Sequence, residues 1–391
     1  MNKNKGEKII MITTISPPAK LLFGPGSLNQ LGDEARALGK NRVMIVTYPD
    51  IRKVGLLDRV IKLLEKGGIQ NPVVFEKVMP NPRVTMIDEG AALVRKEKVD
   101  FIIGLGGGSA MDSSKAIGLA STGTKSIWEY VGIWLPVNNA PVYIQIPTMA
   151  GTGSEMNPSA VITDWEHTHE KTSVGSSSLT AKVVIVDPEL TLTVPKRQTA
   201  AGGLDILTHL AENYVTEPAS LPINDGFKET LMKAVVKNLP IVLQKSDDIA
   251  ARTELSWAST CAMSSFAKIG GTQGTMACHG IEEAMSGRFD IVHGEGLAAI
   301  FPSWLRNIEP ARKERNRMFA RNVFGRTDVD GATACEDWLQ SVGMKLRLRD
   351  LGFDISLADE VGAVALRQPR TKNNPVPLTP KDVGDIYRAA Y

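Results

Sequence analysis

Short apolar runs alternate with stretches of helical periodicity through the first half of the chain. Arg42–Thr47 (RVMIVT) reads as a buried strand, and Leu56–Lys66 carries apolar residues at helical spacing before stopping at Gly67-Gly68. Val73–Phe75 is a second short strand, Thr85–Lys98 a second amphipathic helix, and Phe101–Leu105 (FIIGL) a third strand. A helical stretch follows Gly106-Gly107-Gly108-Ser109. Val142–Ile146 is strand-like, and Val183–Val186 is the last buried strand, closed by Asp187-Pro188. Apolar strands alternating with helices predict a parallel sheet covered on both faces. Beyond Pro195 the chain reads as long helical segments with few β-branched runs. The pattern predicts an α/β domain over residues 1–192 and an all-α-helical domain over residues 193–391.

A chain of 391 residues is long enough for two domains. Lys plus Arg is 45 and Asp plus Glu is 43, a net charge of +2, which gives no electrostatic case for nucleic acid or an anionic membrane surface. A hydrophobic share of 43% with 23% charged residues excludes wholesale disorder. No apolar run is long enough for a membrane-spanning helix. Cys261, Cys278 and Cys335 form neither a disulfide framework nor a CxxC zinc cluster, so a reducing, cytoplasmic setting is expected. Lys3, Lys5 and Lys8 before Ile9–Ile15 imitate a signal peptide in outline. Thr13 and Thr14 interrupt that stretch and Pro17-Pro18 follows without a cleavage pattern, so a polar tail leading into a first strand is expected.

Strand, Gly106-Gly107-Gly108-Ser109, then helix is an arrangement that binds phosphate: glycines admit close backbone approach, and free N–H groups at a helix start favour an anion. The G-x-G-x-x-G fingerprint fails at its last position, which is Ser109, and there is no P-loop. A plain tight turn and a phosphate cradle are both open on this feature alone. A second loop, Pro147-Thr148-Met149-Ala150-Gly151-Thr152-Gly153-Ser154-Glu155, also follows a strand. Two such loops at strand C-termini converge on one crevice, which favours a nucleotide site.

Five histidines occur, His167, His169, His209, His279 and His293. Asp205 and His209 stand four residues apart in a helical segment and so share a face. His279 lies 14 residues before His293. One carboxylate with three imidazoles suits Fe²⁺, Zn²⁺ or a similar divalent ion. The alternative is a helix-surface pair with two unrelated histidines. His167 and His169 fall in a polar loop and are expected to face solvent, and Cys278 reads as a small buried residue beside His279.

Taken together, these motifs resemble the iron-dependent (group III) alcohol dehydrogenase family, whose fold is dehydroquinate synthase-like. The matching segments are Phe23-Gly24-Pro25-Gly26-Ser27, Pro80-Asn81-Pro82, Gly106 through Lys115 (GGGSAMDSSK), Pro147 through Glu155, Gly203 through His209 (GLDILTH), the His279/His293 pair, and Asn374 through Leu378 with Tyr387-Arg388-Ala389-Ala390. The resemblance spans about residues 20–391. It implies a Rossmann-like first domain, and hydride transfer between a primary alcohol, for example of butanol type, and NAD or NADP, with Fe²⁺ or another divalent ion as Lewis acid.

Carried over by position, Asp205, His209, His279 and His293 would be the metal ligands. Gly106, Gly107, Gly108, Ser109 and Asp112 would form the pyrophosphate turn. Thr148, Thr152, Lys171 and Leu190 would lie along the cofactor, and Tyr48 near its adenosine ribose. Tyr48 tolerates NADP, Asp50 disfavours it, and Arg52 and Lys53 could take a 2′-phosphate, so the cofactor stays open. One position departs: the family's histidine four residues after the third ligand is Glu283 here, a candidate catalytic group beside His279 as proton relay or extra oxygen ligand. A glycerol or polyol dehydrogenase is the first alternative. A dehydroquinate synthase-type lyase is the second, disfavoured by Glu283 where an anionic substrate would need cations. The resemblance also implies a homodimer or larger homo-oligomer.

Overall fold

The computed structural model describes residues 20–134, 136–268 and 275–391. The signal-like stretch Lys3–Ile15 therefore lies outside the described residues. The first half is built from β1 (Lys20–Phe23), α1 (Leu31–Ala37), β2 (Val43–Val46), α2 (Pro49–Lys53), α3 (Leu56–Lys66), β3 (Val73–Phe75), α4 (Val84–Glu97), β4 (Phe101–Gly106), α5 (Gly108–Ser121), β5 (Val142–Pro147), β6 (Ser159–Asp164), β7 (Glu170–Gly175) and β8 (Val183–Val186). The second half is helical: α6 (Lys196–Thr216), α7 (Pro222–Gln244), α8 (Ile249–Ala262), α9 (Ala277–Phe289), α10 (His293–Phe324), α11 (Gly331–Ser341), α12 (Ala358–Ala365) and α13 (Pro380–Ala389).

Six strands form one parallel sheet in the order β1-β8-β5-β4-β2-β3. Alternate side chains of the central strands feed two separate cores. Val43, Ile45, Ile103, Ile144 and Ile185 pack on one face, and Met44, Val46, Ile102, Tyr143 and Val184 on the other. Both faces are buried, which is why these strands read as continuous apolar runs. The chain moves outward from β2 to β3, then returns to β4 and continues through β5 to β8. The order thus reverses between β2 and β4, and a crevice opens at their C-terminal ends. Tyr48 and the Gly106–Ser109 turn stand at that crevice.

The antiparallel hairpin β6–β7 lies apart from the main sheet. Its strands, SAVITD and EKTSVG, lack the apolar run of the others and are not evident from periodicity. The hairpin corrects the reading of His169 as a solvent-facing loop residue. His167 is exposed, but His169 is half-buried, adopts φ +55°, and sets its ring edge-on to Trp165 at 5.5 Å. Among the described residues the helical half has one core, in which Leu204, Leu207, Ile281, Leu297, Phe301 and Trp304 are buried. Among the described residues no helix is long and apolar enough to cross a membrane.

Candidate metal and cofactor cleft

Helix α5 starts directly on the glycine turn. Gly107 is its N-cap, and no side chain caps it. Gly106 has φ +150°, and a Cβ there would lie 2.6 Å from the Tyr48 ring. A Cβ on Gly108 would stand 2.4 Å from Thr152 Cγ2, so the two loops predicted to converge touch at this point. The Tyr48 hydroxyl faces the first turn of α5, beside Ser109 and the backbone of Ala110 and Gly107. Burial pushes its pKa up to about 12, against those hydrogen bonds. Thr148 N donates to Gly106 O at 3.0 Å, which ties the second loop to the first.

The second loop also reaches the helical half. Gly151 N donates to Ser259 Oγ at 2.8 Å, and Thr260 Oγ1 donates to Glu155 Oε1 at 3.0 Å. From α5, Asp112 accepts from Ser154 Oγ and from Val161 N, the latter at 3.0 Å. Lys115, 1% exposed, donates to Ser154 O at 2.8 Å and Ser154 Oγ at 2.7 Å, and burial lowers its pKa. Asp112 and Lys115 thereby brace the loop that faces the cleft.

On α6, Asp205 and His209 share one face, and His279 on α9 stacks on His209 with ring centroids 4.4 Å apart. His293 is the first residue of α10. Asp205 Oδ1 lies 3.5 Å from His209 Nδ1, 3.6 Å from His279 Nε2 and 3.8 Å from His293 Nε2. Asp205 Oδ1, His209 Nδ1 and His279 Nε2 are buried with no hydrogen-bond partner. Orphaned buried polar atoms are costly, and three aimed at one point are what a metal ion would satisfy. Ligand atoms of Asp205, His209 and His279 all fall within 4.8 Å of one another. The residues therefore fit a divalent ion, with His293 at the open side.

Two glutamates complete the arrangement and were not evident from the sequence. Glu212 accepts from His279 Nδ1, from His279 N at 3.2 Å and from Cys278 N at 2.8 Å. Glu282 pairs with His293 Nδ1 and accepts from Ser286 Oγ. A carboxylate on the far nitrogen fixes the ring and leaves the other nitrogen to the metal. Helix spacing did not point to these pairings: Glu212 is three residues beyond His209 but pairs with His279, and Glu282 is three beyond His279 but pairs with His293. Charge follows the geometry. Burial alone would raise the Asp205 pKa, but the three imidazoles outweigh it and hold the carboxyl well below its usual range. Burial carries His209 down to about 3, while at His279 Glu212 and Asp205 overcome burial and raise it to about 9. Cys278 is fully buried, and burial pushes its thiol up, as expected of an inert core cysteine.

A cleft of about 110 Å³ lies between the two halves, lined among others by Gly108, Ser109, Asp112, Thr152, Lys171, His209, His279, Glu283 and His293. Lys171, on β7, donates to Asn81 Oδ1 at 2.9 Å. Gly106, Gly107, Tyr48 and Thr148 are not among the residues that line it. Leu190 is buried in the apolar core of the sheet with Ile146 and Ile185. Glu283 is paired with Arg370, a residue that sequence reasoning did not single out.

Family models match nearly the whole chain: "Iron-containing alcohol dehydrogenase" over residues 18–188 and "Fe-containing alcohol dehydrogenase family, C-terminal" over residues 199–391. The chain belongs to the iron-containing alcohol dehydrogenase family. It is 33% identical over 360 residues to the probable NADH-dependent butanol dehydrogenase 1 of Bacillus subtilis, covering 89% of this chain and 92% of that one. It is 31% identical over 398 residues to the choline dehydrogenase of Bacillus subtilis, covering 99% and 97%. The crystal structure of NADH-dependent butanol dehydrogenase A from Thermotoga maritima superposes with a TM-score of 0.91 at 31% identity, covering 97% of this chain and 99% of that one. The parallel sheet followed by a helical half is this family's fold, as the motifs implied, and the chain is an oxidoreductase of the family.

Proposed function

We propose that the chain is a metal-dependent alcohol dehydrogenase and aldehyde reductase, moving a hydride between a small primary alcohol of butanol type and NAD(H). The observation that carries this is the convergence of Asp205 Oδ1, His209 Nδ1 and His279 Nε2, buried and unpartnered, on a cleft that also contains Gly108 and Ser109. Asp205, His209, His279 and His293 would hold the ion. An iron(II) ion there supplies Lewis acidity to the substrate oxygen, and zinc suits the same donors. Glu212 and Glu282 orient His279 and His293 toward it.

The uncapped start of α5 offers N–H groups to the pyrophosphate at Gly107, Gly108 and Ser109. Thr152 and Lys171 line the passage from there to the histidines, with Gly106, Thr148 and Asp112 bracing the turn. Tyr48 covers its outer end near the ribose, and Leu190 supports the sheet beneath. NAD(H) is favoured over NADP(H) because the cations of α2 are engaged. Arg52 Nε donates to Glu76 at 3.0 Å, and Lys53 to Asp50 at 2.6 Å. The names of the relatives support the same choice. Three free cysteines fit a cytoplasmic enzyme. The edge of β1 pairs with β8 alone among the described strands, which suits self-association.

The test is anaerobic butanal reduction by Fe²⁺-loaded and chelator-stripped protein, with NADH and NADPH side by side. Oxidation of NADH that needs the metal is expected. Equal rates after stripping, or a preference for NADPH, would contradict the reading.

A further inference from the structure

One acceptor in the cleft is used neither by the fold nor by the metal ligands. Glu283 is 1% exposed and lines the cleft beside His279, His293 and Lys171. Arg370 Nη1 donates to its Oε1 at 2.6 Å, while Oε2 is buried and has no hydrogen-bond partner. A buried carboxylate oxygen without a donor is unfavourable, so the position is expected to be filled when substrate is present. The ion pair fixes the carboxylate, and Arg370 is itself mostly covered. Asp205, His209 and His279 bring their ligand atoms together without Glu283, whose Oε1 is taken by Arg370.

The helix sets the spacing. Glu283 follows His279 by four residues on α9, so it stands one turn along the same face, a rise of about 6 Å. A two- or three-carbon chain can bridge a reacting oxygen near the histidines and a second group at Glu283. Electrostatics selects that group. Arg370 already neutralises Glu283 and Lys171 lines the same cleft, so a further cation would meet two like charges there with the carboxylate's charge already balanced, while a neutral hydroxyl incurs no such cost. Resting on the alcohol dehydrogenase reading, we propose that Glu283 is a specificity-determining residue whose Oε2 accepts a hydrogen bond from a second hydroxyl of the substrate. The chain then favours small diols, and the matching hydroxyaldehydes, over mono-alcohols of the same length. With a mono-alcohol, Oε2 stays buried and unpaired.

The test compares 1,3-propanediol, 1-propanol and 3-amino-1-propanol on the Fe²⁺-loaded enzyme with NAD⁺, as kcat/KM and, independently of turnover, as binding followed by ligand-observed NMR. Wild type is expected to prefer the diol over 1-propanol by about tenfold or more, the worth of a hydrogen bond to a charged group. Glu283→Leu should compress that ratio to about twofold, mainly through KM. Glu283→Gln should keep part of it, since its amide can still meet a hydroxyl, and it covers the case in which the leucine variant fails to fold. An unchanged ratio in both variants overturns the proposal. So does a preference for the amino alcohol, or loss of bound metal in Glu283→Gln, which would make Glu283 a ligand. Diol binding that depends on Glu283 without turnover of any alcohol would leave this site standing and remove the reaction. Turnover of alcohols with no diol preference would do the reverse.

Discussion

Glu212 is the strongest point at which to perturb the metal centre without touching a ligand. Its Oε1 accepts from His279 Nδ1 and His279 N, and its Oε2 accepts from Cys278 N. Both oxygens are therefore used by donors. Glu212→Gln keeps the shape but turns one oxygen into an NH₂ group. In either orientation that NH₂ meets a buried donor, Cys278 N on one side or the two His279 nitrogens on the other. An unsatisfied buried donor costs about 1–3 kcal/mol, which should lower the stability of the metal-free protein by that order. Loss of the carboxylate behind a ligating histidine weakens metal binding by about 10–100-fold, which is about 1.4–2.8 kcal/mol. The assay is an anaerobic competition titration of Fe²⁺ against a chromophoric chelator, paired with thermal unfolding of the stripped protein. Fe²⁺ affinity within about twofold of wild type, with an unchanged melting temperature, would refute the role assigned to Glu212.

Two further outcomes follow from the same geometry. Gly108→Ala places a methyl group 2.4 Å from Thr152 Cγ2, and is expected to weaken NADH binding by about tenfold or more, read by fluorescence titration, with metal content unchanged; undiminished NADH affinity would contradict the pyrophosphate assignment. In the metal-free protein, His279 is raised to about 9 and His209 lowered to about 3 from an ordinary value of 6.5. The His279 contribution is complete below pH 6.5 and lost as pH rises through 9, and the His209 contribution is present above pH 6.5 and lost as pH falls toward 3. These two terms together put the best stability of the stripped protein near pH 6.5, and a melting temperature that climbs from pH 6.5 to 9 would be the wrong sign.

The parts of the fold that were legible in the sequence are those with a one-dimensional signature. The helix Leu56–Lys66 and the strands Val73–Phe75 and Val183–Val186 have the bounds that periodicity and Gly or Pro stops indicate. The β6–β7 hairpin was not legible, because its residues are mixed in polarity and gain meaning only by pairing with each other and packing on α9. At the site, the spacing of Asp205 and His209 defines a helix face, but nothing in spacing brings His279 and His293 from two other helices to that face. The family resemblance supplied that step. Glu212 and Glu282 escaped notice because a glutamate one turn from a histidine on a helix is ordinary until the tertiary fold buries both. Glu283 stood out only as a departure from the family pattern, and its partner Arg370, 87 residues away, is a product of the tertiary fold.

The central claim is that Asp205, His209, His279 and His293 form one divalent metal site at the floor of the cofactor cleft. The most direct test is anomalous diffraction at the iron absorption edge from crystals of anaerobically Fe²⁺-loaded protein. One strong peak is expected, within about 2.0–2.2 Å of a nitrogen or oxygen atom from each of the four side chains, the range of comparable metal–ligand bonds. A stoichiometric metal peak elsewhere, or none between these residues in protein that has bound iron, would contradict the account.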